Sequence, residues 1–170
     1  MEVRDYNGVG AWSRDAVLER YRTYSRDLGS FEPADLRPHE HAEGDVKWIY
    51  PVMDSVIPLI ERGDPAVVAL GVELVEEDQL MPFGRILKAK TARALRGTTL
   101  SPDQVERIRR RVVGLLVAGT FRREFHQYAK LLRHIGLGNW WPEVERRVDR
   151  ENPYAMRYFE YLRRTTNSVL

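Results

Sequence analysis

A row of basic residues follows one face of a predicted helix in the second half of the chain. Its members, at spacings of four, four and three residues, are Arg122, His126, Lys130 and Arg133. Because an α-helix completes a turn in about 3.6 residues, this spacing places them together beside the apolar residues that would face the core. A row of cations of this kind is typical of a surface that contacts phosphate groups.

Two other predicted helices carry basic residues that would extend this surface. The predicted fourth helix interleaves its outward cations with alanines, and small side chains permit close approach of a backbone. The sequence leaves open a second arrangement, in which the cations keep the domain soluble and pair with acidic residues elsewhere. The polyanion-binding candidates are Lys88, Arg93, Arg107, Arg110, Arg122, Arg123, Lys130 and Arg133, all of them expected to face outward.

The acidic residues form two clusters. Residues 39–45 place five metal-ligand types in one segment, namely His39, Glu40, His41, Glu43 and Asp45, and zinc and harder metals use such donors. Residues 76–78 are all acidic and end a predicted helix, where the helix dipole disfavours negative charge. We interpret the first cluster as a solvated loop and the second as a solvated turn, and we assign neither a metal site nor a cofactor.

The sequence contains no recognised catalytic motif. Gly8 and Gly10 form too short a pair for a phosphate-binding loop and follow no predicted strand. A nucleophile elbow, the paired histidines of zinc proteases and any cysteine are absent. A helix-turn-helix reader, a zinc finger and an aromatic RNA platform are also absent. The sequence therefore names no reaction and does not support sequence-specific reading of nucleic acid.

Charge is divided unevenly along the chain, although the net charge is only +2. Residues 1–84 carry 8 Arg and Lys against 17 Asp and Glu, whereas residues 85–170 carry 19 against 8. This asymmetry fits a polyanion-facing half, two halves that pack on each other, or head-to-tail association. Arginine outnumbers lysine 23 to 4; a GC-rich genome gives such an excess, and arginine also makes forked contacts that lysine cannot.

The elements that must position these residues are predicted to be helices. Capping residues and prolines start them, as at Ser13, Asp64-Pro65 and Ser101-Pro102, and glycines such as Gly63 and Gly119 end them. No run of alternating apolar and polar residues predicts a strand. The predicted helices cover residues 13–28, 46–62, 64–76, 83–96, 101–119 and 120–135, with a short one ending near 150 and a last one from 152.

The predicted fold is all-α, a single domain over residues 1–170 with seven to eight helices in antiparallel hairpins, forming a layered or irregular helical array. Residues 1–12 are expected to be an N-terminal arm. Residues 29–45, rich in proline, glycine and acids, are expected to be either a functional loop or a mobile linker.

Two helical hairpins overlay when the chain is shifted by 56 residues. Val56 then falls on Val112, and the helix-ending Gly63 falls on Gly119. Stacked hairpins of a repeat protein would give this pattern. Any two amphipathic hairpins that end at glycines would also align in this way, so both interpretations stay open.

The segment Val56-Ile57-Pro58-Leu59-Ile60, followed by Gly63-Asp64-Pro65, resembles a HEAT repeat. In that family a proline-kinked first helix precedes a second helix that starts at an aspartate. The resemblance covers only about residues 52–76. Ala69 stands where the family has a basic residue, and Gly114 stands where a second copy would have proline. The resemblance implies stacked hairpins and a binding scaffold, by analogy of fold.

Length and composition bound the function. A chain of 170 residues that is 43% hydrophobic can build one core. The absence of cysteine, the charged N-terminal residues and the short apolar runs predict a cytoplasmic protein without membrane segments.

The leading functional hypothesis is a non-enzymatic binding module that engages a protein partner through the charged faces of its hairpins. The alternative is non-specific nucleic-acid binding by the basic face of the C-terminal half. An enzyme acting at residues 39–45 or 76–78 is a third class. Association of the chain with itself stays open.

Overall fold

Eight α-helices account for most of the residues that the computed structural model describes, which are 1–30 and 35–166. A 3₁₀ turn (Gly138–Trp140) precedes the seventh helix. The helices are α1 (Arg14–Leu28), α2 (Met53–Glu61), α3 (Pro65–Glu77), α4 (Gly84–Arg96), α5 (Pro102–Ala118), α6 (Phe125–Ile135), α7 (Trp141–Arg147) and α8 (Pro153–Thr166).

The fifth helix shows why the start and stop signals work. Ser101 Oγ accepts a hydrogen bond from the Gln104 backbone N–H at 3.2 Å, and Gln104 Oε1 accepts one from the Ser101 N–H at 2.9 Å. This capping box satisfies backbone donors that the first turn leaves free. At the other end Gly119 has a φ of 71°, a left-handed conformation in which glycine avoids the strain of a side chain. Both ends of α5 are confirmed.

A small sheet corrects the prediction that no strand is present. It contains β1 (Glu2–Asp5), β2 (Glu40–Glu43) and β3 (Val46–Ile49), in the order β1-β3-β2. The first strand runs parallel to β3 with Glu2 opposite Val46, and β2 runs antiparallel to β3 with His41 opposite Trp48. The predicted arm therefore holds β1, the predicted acidic loop holds β2, and residues 46–49 are not helical. Residues 31–34 of that loop lie outside the described residues.

The physical reason for the missed strands lies in their length and exposure. Every residue of β1 and β2 is exposed, so neither strand shows the alternation that a half-buried strand requires. The turn between β2 and β3 contains Gly44-Asp45, with Gly44 at a φ of 56°, and such a pair is a hairpin signal. Valine, tryptophan and isoleucine in β3 favour strand over helix.

The helices form two layers. Helices α1, α3, α5 and α7 pack in sequence in one layer, hereafter the odd layer, and α2, α4, α6 and α8 do so in the other, the even layer. Contacts of α3 with α2 and α4, and of α5 with α6, join the layers. The predicted single, predominantly helical domain is confirmed, whereas membership of the HEAT family stays a prediction.

The core lies between the layers and is centred on α3. Nine residues of α3, from Ala66 to Val75, are buried, because α1, α2, α4 and α5 surround it. Its start is confirmed, since Asp64 Oδ1 accepts hydrogen bonds from the backbone of Ala66 and Val67 at 3.0 and 3.4 Å. Among the described residues, no helix combines the length and the hydropathy needed to cross a membrane.

The sheet fixes the connection between α3 and α4. The ring of Phe83 in that connection lies 5.0 Å from the Tyr6 ring and 6.3 Å from the Tyr50 ring. Asn7 Oδ1 accepts a hydrogen bond from the Val52 backbone at 2.8 Å. These contacts tie the sheet to the first turns of α2 and α4 and so hold one end of the even layer in place.

Candidate functional site

An open groove in the even layer gathers basic side chains from two helices. It has a volume of about 690 Å³ and lies between the C-terminal end of α4 and the outer side of α6. Its walls include only small apolar residues, Ala94 and Gly97, and one carboxylate, Glu61. The basic residues that line it are Arg93, Arg96, Lys130, Arg133 and His134.

A second hollow continues this groove towards α8. It has a volume of about 390 Å³ and is lined by His126, Lys130, Arg157, Tyr158 and Tyr161, together with Ala129. Lys130 lines both hollows, so they adjoin on α6 and together are lined by basic residues of α4, α6 and α8. We call the two adjoining hollows the basic groove.

The local sequence explains how the groove is built. The sixth helix buries Tyr128, Leu131 and Leu132, which turns Lys130 and Arg133 outward. The guanidinium carbon of Arg133 lies 4.5 Å from the centre of the Tyr161 ring, a cation–π contact that positions the charge. On α4, Arg93 and Arg96 occupy the last turn, where the helix dipole favours positive charge.

The cations of the basic groove are not neutralised within the fold. In the described part of the chain, no carboxylate makes an ion pair with Arg93, Arg96 or Lys130. The Nε of Arg96 is buried without a hydrogen-bond partner there.

The pKa of His126 also reflects this concentration of positive charge. Burial lowers the pKa of His126, and the nearby charges of Lys130, Arg157 and Arg96 lower it further. The contribution of these three cations marks a local positive field, and such a field favours a bound anion.

Three of the eight sequence candidates line this groove, namely Arg93, Lys130 and Arg133. Arg107 lies elsewhere, on α5, where its Nη2 and Nε are 2.6 and 2.9 Å from Glu76 Oε2. This pairing was the alternative that the sequence left open. Lys88 is 1% exposed, so the expectation that it faces outward is wrong.

The remaining candidates do not join the groove. Arg110 is exposed on α5, and Arg122 and Arg123 lie in the connection between α5 and α6. Arg123 lines a different pocket, near the start of α4. Arg96, His134 and Arg157 line the basic groove but were not selected from the sequence. Arg96 lies three residues after Arg93, and His134 lies four residues after Lys130. Residues at these spacings share a helix face, so the sequence could have predicted both.

The acidic cluster at the end of α3 is not a solvated turn. Glu77 accepts hydrogen bonds from Trp12 Nε1 at 2.7 Å and from Arg20 Nη1 at 2.8 Å. Glu73, one turn earlier, lies 3.0 Å from Arg20 and accepts a hydrogen bond from the Tyr24 hydroxyl at 2.7 Å. Burial and the bond to Glu73 raise the pKa of Tyr24 to about 12. These acids hold α1 against α3.

A buried charge cluster joins α3, α4 and α6. Lys88 Nζ lies 2.7 Å from Asp78 Oδ1 and 2.8 Å from Glu124 Oε1, and all three side chains are less than a tenth exposed. The Tyr128 hydroxyl donates a hydrogen bond to Asp78 Oδ1 at 3.0 Å. Burial, and then the neighbouring charge of Asp78, raise the pKa of Tyr128.

The spacing of apolar residues along α4 did not predict this buried charge cluster. Seven residues of α4 are buried, because α2, α3 and α6 all pack against it. Its buried face is therefore wider than the single stripe that helical periodicity predicts. Lys88 lies inside that wider face beside Leu87, and Asp78 and Glu124 reach it from positions 10 and 36 residues away in the sequence.

The histidines of residues 39–45 make ring contacts in the sheet. His41 stacks on Trp48 with ring centres 5.5 Å apart, and His39 stacks on Tyr50 at 5.7 Å. Within residues 1–30 and 35–166, no three His, Asp or Glu side chains are grouped so that they could hold a metal ion. Stacking and strand pairing account for these side chains.

Comparison of the chain with protein-family models, with curated proteins and with solved structures gave no match.

Proposed function

We propose that the basic groove binds the phosphate backbone of nucleic acid without reading its sequence. The observation that carries this proposal is the set of cations on α4, α6 and α8 that line the basic groove without an ion-pair partner in the described residues. Cations without an ion-pair partner can replace the counterions condensed on a polyanion and release them into solution, whereas cations already paired within the fold cannot.

The composition of the groove favours a nucleic acid over a protein. The centre of a protein interface is usually apolar, with aromatic or aliphatic anchors. The hollow between α4 and α6 offers only Ala94 and Gly97 as apolar lining, and the two tyrosines of the adjoining hollow already pack on neighbouring side chains. Arginine and lysine are the usual contacts to phosphate oxygens, and such contacts need no apolar centre.

The aromatic residues of the groove do not offer a platform for bases. Tyr161 lies under Arg133, and Tyr158 packs against Phe121 and Phe125 with ring centres 5.4 and 4.7 Å away. Base stacking requires an open ring face. Contacts to the backbone alone would give little preference among sequences, which is the behaviour that we propose.

A protein partner, the leading hypothesis from the sequence, is the second candidate. The positive field around His126 would favour an acidic protein in the same groove, through the same cations. A nucleic acid and an acidic protein would then compete, and a direct comparison of the two separates the proposals.

Fluorescence anisotropy with labelled single and double strands of random sequence, at about 50 mM salt, tests the proposal. We expect Lys130→Glu to weaken binding by about ten-fold, because it reverses a charge shared by both parts of the groove. Arg110→Glu makes the same charge change on an exposed arginine outside the groove and should change the affinity by less than about two-fold.

Three outcomes would overturn the proposal. The first is the absence of binding at low salt, and the second is an equal loss in the Lys130→Glu and Arg110→Glu variants. The third is a polyglutamate chain that binds as tightly as DNA and is equally weakened by Lys130→Glu, which would assign the groove to an acidic protein partner.

A further inference from the structure

A second pocket lies at the opposite end of α4 from the basic groove. It has a volume of about 570 Å³ and is bounded by the connection between α3 and α4, the first turns of α4 and the residues that precede α6. Its walls are mostly apolar, formed by Leu80, Met81, Phe83, Ile86 and Ala89. Leu80 is 80% exposed and Ile86 is 53% exposed, so two large apolar side chains border the opening.

The floor of this pocket carries a buried carboxylate with a free oxygen. Glu124 lines the pocket and is 2% exposed. Its Oε1 is in ion-pair contact with Lys88 Nζ at 2.8 Å, off the direction of a hydrogen bond, and its Oε2 has no hydrogen-bond partner in the described residues. A buried acceptor without a donor is unfavourable, and more so when it carries a charge.

The other groups near the floor do not satisfy Glu124. The Tyr128 hydroxyl donates to Asp78 and not to Glu124. Glu124 is also the residue that precedes α6, yet its side chain makes no capping hydrogen bond to that helix. One lysine therefore faces two carboxylates, and Glu124 Oε2 is left without a hydrogen-bond donor in the described residues.

The mouth of the pocket has the opposite charge. Arg85 and Arg123 line the pocket and are exposed, and in the described part of the chain neither makes an ion pair with a carboxylate. Lys90 also lines it, but pairs with Asp54 at 2.7 Å. The pocket thus combines an acceptor at the floor, apolar walls and two free cations at the mouth.

We propose that this pocket binds a small amphoteric molecule, with an ammonium group that donates to Glu124, an apolar body along the walls and an anionic group facing Arg85 and Arg123. A simple anion would leave the buried oxygen of Glu124 without a donor. A simple amine would have no partner for the mouth cations and would be repelled by them. Small-molecule sites typically have such apolar walls with a few convergent polar groups.

Three probes of equal chain length test the proposal on the full chain: ε-aminohexanoate, hexylamine and hexanoate. We expect calorimetry or chemical-shift titration to show binding of ε-aminohexanoate at least about ten-fold tighter than either singly charged probe. Equal binding of hexanoate, tighter binding of hexylamine, or binding of none of the three would overturn the proposal.

Variants assign each end of the ligand separately. Glu124→Gln should abolish the preference for ε-aminohexanoate over hexanoate, and the Arg85→Gln, Arg123→Gln double variant should abolish its preference over hexylamine. Because both arginines are exposed, the double variant should unfold at the wild-type temperature. It therefore tests the contact with the anionic group of the ligand even if Glu124→Gln does not fold. Ala89→Phe should block all binding by filling the pocket, and unchanged affinities in any of these folded variants would contradict the assignment.

Discussion

The two layers of this domain contain the same kinds of cations but use them differently. In the odd layer, Arg20 and Arg107 bind Glu73, Glu76 and Glu77 on α3. In the even layer, the cations of the basic groove make no ion pair with a carboxylate in the described residues. Carboxylates of the acidic half of the chain therefore pair with Arg20 and Arg107 in the odd layer and with Lys88 and Lys90 on α4, whereas the cations of the basic groove are left without an ion pair in the described residues.

This difference shows that the role of an arginine depends on the neighbouring helix and not on its own spacing. Arg109 on α5 donates from Nε to the Gly136 carbonyl at 2.7 Å and from Nη2 to the Ile135 carbonyl at 3.1 Å. It closes the C-terminal end of α6, whose last carbonyls have no helical partner. Lys130 lies about two turns before that end of α6 and faces the basic groove. Arg109 therefore has a structural role, and we propose that Lys130 binds ligand.

The largest expected effect concerns Lys88. This lysine belongs to the even layer, but carboxylates neutralise its charge, as they do for Arg20 and Arg107 in the odd layer. Lys88→Met would leave Asp78 and Glu124 buried without their cation, so we expect the free energy of unfolding in urea to fall by about 3–5 kcal/mol. Lys90→Met is the matched control, because Lys90 is half exposed, and it should cost less than about 1 kcal/mol. Equal, small losses in both variants would show that the cluster does not support the fold.

A smaller effect separates the two layers directly. Arg107→Gln should lower the free energy of unfolding by about 1 kcal/mol, because it breaks a half-buried pair with Glu76, and should leave nucleic-acid affinity unchanged. Arg133→Gln should do the reverse, with affinity reduced several-fold and stability nearly unchanged. Urea unfolding and anisotropy on the same two proteins check this, and a reversed pattern would exchange the roles assigned to the two layers.

The smallest expected effect is the pH dependence of His126. Burial and neighbouring cations lower its pKa in the free protein, and a bound polyanion would offset those cations and raise it. Binding would then take up protons, so affinity should rise about two- to three-fold as the pH falls through the ordinary histidine pKa of about 6.5. Resonances of the His126 ring, followed with and without an oligonucleotide, measure both pKa values. A pKa that falls on binding would contradict the positive field.

Local signals in the sequence predicted most of the helices. The caps at Ser13, Asp64 and Ser101 and the stop at Gly119 are confirmed because each acts within one turn of backbone. Thr120 is a residue type that often caps helices, so α6 was predicted to begin there. It begins only at Phe125, because residues 121–124 form part of the connection between α5 and α6. The short exposed strands left no periodic signal to predict them.

The candidate site was predictable only in part, for a related reason. The spacing along α6 predicted that Lys130 and Arg133 lie on one face, and both are half-buried side chains that line the same hollow. That the end of α4 and the side of α8 border this face depends on packing between distant segments, which spacing within one helix does not contain. Lys88 was misplaced because the width of the buried face of α4 is set by its three neighbouring helices.

The salt dependence of duplex binding tests the central claim most directly. The logarithm of affinity against the logarithm of salt concentration has a slope of about −0.9 per phosphate contacted. A Lys130→Gln, Arg133→Gln double variant should therefore have a slope shallower than wild type by about two. An Arg107→Gln, Arg110→Gln double variant removes the same charge from the odd layer and should keep the wild-type slope. Equal slopes in the two double variants would show that the basic groove is not where the polyanion lies.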